Sequence, residues 1–107
     1  MKNIAGLMQK AQQVQTQMNA LQNKMETLEF EGDAGSGAVK IIMTGKGMPV
    51  KLTISETVVD KNDIETLEDL IVVAIKDSQN KAQDMMNKEM ERIQSALGLP
   101  AGMKLPF

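Results

Sequence analysis

An unbroken three-four spacing of apolar residues runs through the first 25 positions of this chain: Ile4, Leu7, Ala11, Val14, Met18, Leu21 and Met25. Steps of three and four put all of them on one side of an α-helix. The sustained seven-residue period suits packing against another long helix better than lying on a sheet. The same 25 residues contain no Asp or Glu. The segment reads as a helical arm, paired along one side and neutral to basic on the other. Its free side carries Lys2, Lys10 and Lys24 among Gln and Asn, and Lys10, Gln17 and Lys24 fall on one heptad line. Such a stripe is a candidate surface for a polyanion.

The charge balance of the whole chain hides this arm. Twelve basic and 14 acidic residues give a formal charge of −2, which alone argues against a basic nucleic-acid binder. Residues 1–25 nevertheless hold three Lys and no acid, a charge of +3, so the remainder holds nine basic and 14 acidic residues, a charge of −5. A second acid-free block, Ala34 to Ser55, contains Lys40, Lys46 and Lys51. Asymmetry of this kind points to nucleic acid or a membrane surface. A plain solvated Gln-rich helix face is the competing explanation.

Several classes of function are disfavoured by what is missing. The 107 residues contain no Cys, His, Trp or Tyr, so there is no disulfide, no thiolate or imidazole metal site and no imidazole general base. An enzyme is not expected, nor is a cofactor or a small-molecule substrate. The start Met1-Lys2-Asn3-Ile4 is not followed by the apolar core of a signal peptide, and the longest apolar run, Leu70 to Ile75, falls far short of the ~20 residues that span a bilayer. A reducing cytoplasm is the expected location. Only Phe30 and Phe107 are aromatic, too few to stack single-stranded bases, so duplex backbone is the expected nucleic-acid target.

The rest of the chain reads as one small domain. The arm should occupy residues 1–28. Alternation begins at Leu28-Glu29-Phe30-Glu31, Gly32 to Gly37 supplies a hairpin loop, and Ala38 to Thr44 forms a strand with Val39, Ile41 and Met43 on one face and Ile42 out of step. Gly45-Lys46-Gly47-Met48-Pro49 makes a second turn before Val50 to Ile54, so residues 28–55 form a three-stranded antiparallel meander. Asp60 or Asn62 is placed to cap a second helix over residues 60–97, whose first turns hold Asp63, Glu65, Glu68 and Asp69 at the positive end of the dipole. Capping explains these acids better than a catalytic carboxylate pair. The run Leu70 to Ile75 is apolar nearly all round and should be buried on several sides. Residues 98–107, too apolar for a solvated end and interrupted by Pro100 and Pro106, read as a tail docked on the protein surface.

Three apparent motifs fail on spacing. Gly32 to Lys40 lacks the Lys that a Walker loop needs directly after Gly37, and Asp60-Lys61-Asn62-Asp63 has Ile64 and Glu65 where a calcium loop needs a ligand and a Gly. The methionines Met8, Met18, Met25, Met86 and Met90 fall on the helical stripes and read as flexible core filler. A second helix of about 50 Å cannot fit inside a compact domain of this size, whose radius of gyration would be about 13 Å. Overhanging amphipathic helices beside a narrow sheet imply a symmetric homodimer.

The assembled pattern resembles the YbaB/EbfC family of bacterial nucleoid-associated DNA-binding proteins. The residues that carry the resemblance are Leu7-Met8-Gln9-Lys10-Ala11-Gln12-Gln13, the strand entry Gly37 to Lys40, Leu67-Glu68-Asp69-Leu70 with Asp77 and Lys81, and the ending Leu99-Pro100-Ala101-Gly102-Met103-Lys104-Leu105-Pro106-Phe107. The resemblance implies an α+β fold of order α-β-β-β-α and a tweezer-like homodimer. Such a dimer would bind duplex DNA with little sequence specificity, alter its conformation, and act on nucleoid organisation and gene expression, without catalysis or cofactor. The charge distribution points to the DNA contacts: Lys2, Lys10 and Lys24 to phosphates, with Gln13, Gln17 and Asn23 adding neutral hydrogen bonds. A coiled-coil chaperone or scaffold of prefoldin-like build is the alternative, and a membrane-surface helix is disfavoured by the absence of aromatic anchors.

Overall fold

The computed structural model describes residues 4–98. Helix α1 (Ile4–Thr27) is followed by strands β1 (Glu29–Ala34), β2 (Val39–Thr44) and β3 (Pro49–Ile54), a single 3₁₀ turn at Glu56–Val58, and helix α2 (Ile64–Ala96). This is the α-β-β-β-α order read from the sequence. The sheet is an antiparallel meander in the order β1-β2-β3. The whole is a rod of 73 × 23 × 17 Å with a radius of gyration of 19.5 Å, well above the ~13 Å of a compact chain of this length. Both long helices project beyond the sheet.

Turn chemistry fixes the meander. Between β1 and β2, Gly35, Ser36 and Gly37 all adopt positive φ, and Gly47 does so between β2 and β3. That second turn is closed by Thr44, whose backbone N–H donates to the Met48 carbonyl at 2.8 Å and whose hydroxyl accepts from the N–H groups of Lys46 and Met48. Gly45 ties the turn to the end of α1 by donating to the Met25 carbonyl at 2.9 Å. Helix α2 is capped by Asp63, not by Asp60 or Asn62: its carboxylate accepts from the N–H and the hydroxyl of Thr66. Asp60 instead closes the preceding turn by accepting from the Asn62 N–H.

Two apolar clusters hold the rod together. In one, Ala34, Val39, Ile41, Met43 and Ala74 are buried, with Leu67, Leu70, Ile71 and Ile75 of α2 packed on them. In the other, Val14, Met18, Leu21 and Met25 of α1 enclose Ile93 of α2, flanked by Met86 and Met90. Register places Phe30, Gly32 and Ala34 with Met43, Ile41 and Val39 on the face toward α2, and puts Ile42 on the opposite face beside Glu31 and Lys51. A bulge at Ile42 and Met43 shifts β3.

Three sequence expectations change. Met8 is exposed, unlike Met18 and Met25. Val72 and Val73 are also exposed, so the apolar run of α2 is buried on its sheet side only. Strand β3 is exposed along nearly its whole length although its sequence alternates, because no described element packs over its half of the sheet. The expected docking of residues 98–107 falls, apart from Gly98, outside the described residues.

Strand β1 is served by α2 as well as by β2. Ser78 Oγ donates to the Phe30 carbonyl at 2.8 Å, Lys81 Nζ to the Glu31 carbonyl at 2.7 Å, and the Asp33 N–H donates to Asp77 Oδ2 at 3.0 Å. The Asp33 N–H and the Lys81 ammonium hold the Asp77 carboxyl below its ordinary value of 3.8. A carboxyl lowered in the folded state contributes stability that is complete above its unfolded value and lost as pH falls through the folded one. Thermal unfolding is therefore expected to lose Tm as pH falls through and below the ordinary carboxyl range, with a shallower acid limb in Asp77→Asn. An unchanged acid limb in that variant would show that other carboxyls set it.

Candidate nucleic-acid interface

The arm arises because α1 and the second half of α2 lie side by side and run in opposite directions away from the sheet. Lys24 Nζ meets Glu89 Oε1 at 3.0 Å and fixes the alignment. Counting outward from this pair at about 1.5 Å per residue, Leu97 lies level with Thr16. Leu97 accordingly packs against the Val14 cluster, and an open groove beside Ala96 and Leu97 is lined by Gln9, Gln12, Gln13, Thr16 and Gln17. Turns of α1 before Val14 overhang the end of α2, and Ile4, Leu7 and Ala11 of the seam are exposed. The seam is a helix–helix contact only for its second half.

At about 100° per residue, Lys10, Gln13, Gln17 and Lys24 project within about 60° of one another, and Asn23 stands about 80° from Gln13. Lys10, Gln13, Gln17 and Asn23 are all exposed. Lys10 has no ion pair with another described residue, so its charge is unspent. Lys24 differs. Its partner Glu89 also takes Arg92 Nε at 2.7 Å, and the two cations hold the Glu89 carboxyl below its usual range, Arg92 first. The acid-free arm of the sequence thus receives an acid from α2. Lys2 lies outside the described residues.

The second acid-free block is divided. Lys40 faces Glu31 at 3.9 Å, while Lys46 and Lys51 are exposed on the turn and the sheet. Sequence reasoning passed over Lys88, exposed on α2 and unpaired among the described residues. It sits in an ordinary alternation of charges, so the sequence offered no signal to single it out. No helix among the described residues is long and apolar enough to cross a membrane.

A family model described as the YbaB/EbfC DNA-binding family matches residues 1–97. This chain belongs to that family. Full-length relatives agree with the assignment: a nucleoid-associated protein of Granulibacter bethesdensis is 48% identical, and one of Gluconobacter oxydans 46%, each over 107 residues covering all of both chains. The crystal structure of an uncharacterized protein from Helicobacter pylori shares the fold of the family member described here. Its TM-score is 0.63 at 18% identity, over 75% of this chain and 93% of that one.

Proposed function

We propose that this chain is a nucleoid-associated protein of the bacterial cytoplasm that binds duplex DNA as a homodimer. It does so with little sequence specificity, alters DNA conformation, and so affects nucleoid organisation and gene expression. The observation that carries the reading, beside the family, is the exposed line of Lys10, Gln13 and Gln17 on an arm whose first 25 residues hold no acid. Phosphates take the cation and the amides add neutral hydrogen bonds to backbone or base edges, giving modest, salt-sensitive affinity. Lys2 extends this line, Asn23 flanks it, and Lys24 joins it to the extent that Glu89 releases it. No catalytic group or cofactor takes part.

The dimer is supported by the distribution of exposed apolar groups. Met48, Val50 and Leu52 lie along the β3 side of the sheet, and Val72 and Val73 lie on α2. An exposed strand edge with apolar side chains is a template for pairing with another chain. Two copies joined there would present their arms as two prongs around a gap.

The test is fluorescence anisotropy of two unrelated ~30 base-pair duplexes at rising salt, alongside light scattering of the free protein. Saturable binding of both duplexes that falls steeply with salt is expected, with a dimer mass that Leu52→Glu with Val50→Glu converts to a monomer. Absence of binding at low salt would overturn the DNA reading. Salt-insensitive capture of unfolded protein would favour a chaperone instead.

A further inference from the structure

The carboxylate that α2 brings to the arm meets two cations at once. Lys24 Nζ donates to Glu89 Oε1 at 3.0 Å, and Arg92 Nε donates to Glu89 Oε2 at 2.7 Å. The Glu89 side chain is 14% exposed, between two cations whose side chains are 47% and 64% exposed. The anion is enclosed while both cations stay open to solvent. Arg92 and then Lys24 keep its carboxyl below the usual range, so it is charged near neutral pH. Packing does not require an acid at this place. The buried cluster of Val14, Met18, Leu21, Met25 and Ile93 already joins the two helices, and a solvent-facing Lys–Glu pair adds little to stability. The larger effect of Glu89 is on the charge that the arm can offer a polyanion.

We propose that Glu89 is a tethered competitor for DNA phosphate: it fills the place between Lys24 and Arg92 that a phosphodiester would otherwise take, and so holds down the affinity of the arm for duplex. This inference rests on the DNA reading above. A carboxylate and a phosphodiester each spread one negative charge over two oxygens that accept charge-assisted hydrogen bonds, so two cations that hold the first are placed to hold the second. Arg92, the single arginine of the chain, carries the guanidinium best suited to such an anion. Because Glu89 belongs to the same chain, it competes at a local concentration that dilution does not lower, whereas the phosphate arrives from solution. Duplex must displace Glu89 before Lys24 and Arg92 contribute to counterion release. Lys10, with no carboxylate partner among the described residues, makes its contact without that cost.

The test compares Glu89→Gln with Glu91→Gln in the full-length protein, by fluorescence anisotropy on one duplex across a salt series. Glu91 is exposed on the same helix, about 200° round from Glu89, so both variants lose the same charge and only the first releases Lys24 and Arg92. Glu89→Gln is expected to bind about tenfold tighter at low salt, with a log–log slope steeper by about two to four for the proposed dimer, since each newly engaged cation adds roughly −0.9. Glu91→Gln is expected to gain about threefold or less with its slope unchanged. The gain of Glu89→Gln should vanish when Lys24→Gln and Arg92→Gln are already in place. Equal gains in the two variants, or a gain that survives the loss of both cations, would overturn the proposal. Unmutated protein that binds no duplex at low salt would remove the DNA reading and this proposal with it, whereas normal binding that Glu89→Gln fails to tighten would remove this proposal alone. A second measurement needs no variant. The single arginine gives one Nε–H signal in a nitrogen-edited NMR spectrum, and duplex should shift it as Glu89 is displaced, with salt restoring it. A signal unmoved at saturating duplex would also overturn the proposal.

Discussion

Lys10→Glu is expected to weaken duplex binding by about tenfold to a hundredfold at low salt, and to make the log–log salt slope shallower by about two. The proposed dimer would carry the change twice, and each phosphate contact contributes roughly −0.9 to the slope. Lys10 is the sharpest choice because it is exposed and has no carboxylate partner among the described residues. Lys24→Gln makes the contrast. Since Lys24 already meets Glu89 at 3.0 Å, removing it gives up less phosphate attraction and chiefly releases Glu89 to Arg92. The expected order is a large loss for Lys10→Glu and a small one for Lys24→Gln, measured by anisotropy on one duplex. A Lys10→Glu protein with unchanged affinity and slope would remove the arm from the DNA surface and transfer attention to Lys46, Lys51 and Lys88.

Gly32→Ala is expected to be the most destabilising single methyl in the chain, costing about 3 kcal/mol or more and lowering Tm by about 15 °C. A Cβ on Gly32 would overlap the Ala74 carbonyl oxygen and come within 2.5 Å of the Ser78 backbone N–H group and 2.9 Å of Ser78 Cβ. The obstacles are helix backbone, which cannot rotate away. The contact is tight because β1 is drawn onto α2 by Ser78, Asp77 and Lys81, whose hydrogen bonds surround Gly32 in sequence. Gly47→Ala provides the comparison. No described residue lies within 4 Å of a Cβ there, and the cost is only that of a positive φ, about 1 kcal/mol. Melting both variants at one protein concentration checks the ranking, and equal Tm values would show that α2 can move off β1 at little cost.

The elements of this fold are written locally. A three-four period makes α1 and α2, alternation interrupted at Ile42 makes the strands, and glycines at positive φ make the turns, so their order could be read without the structure. The same local chemistry shows that the first 25 residues have no acid. Two matters lay beyond it. Whether a seam residue is buried depends on how far the neighbouring helix extends: Val14 and Met18 are covered because α2 runs alongside them, and Leu7 and Met8 are not because α2 has ended. Whether a lysine is free depends on what another element brings to it, as Glu89 reaches Lys24 from 65 positions away while Lys10 meets no carboxylate among the described residues. Period and composition act within a few residues of the chain, whereas burial and ion pairing are set by the alignment of two helices that only the packed sheet between them fixes.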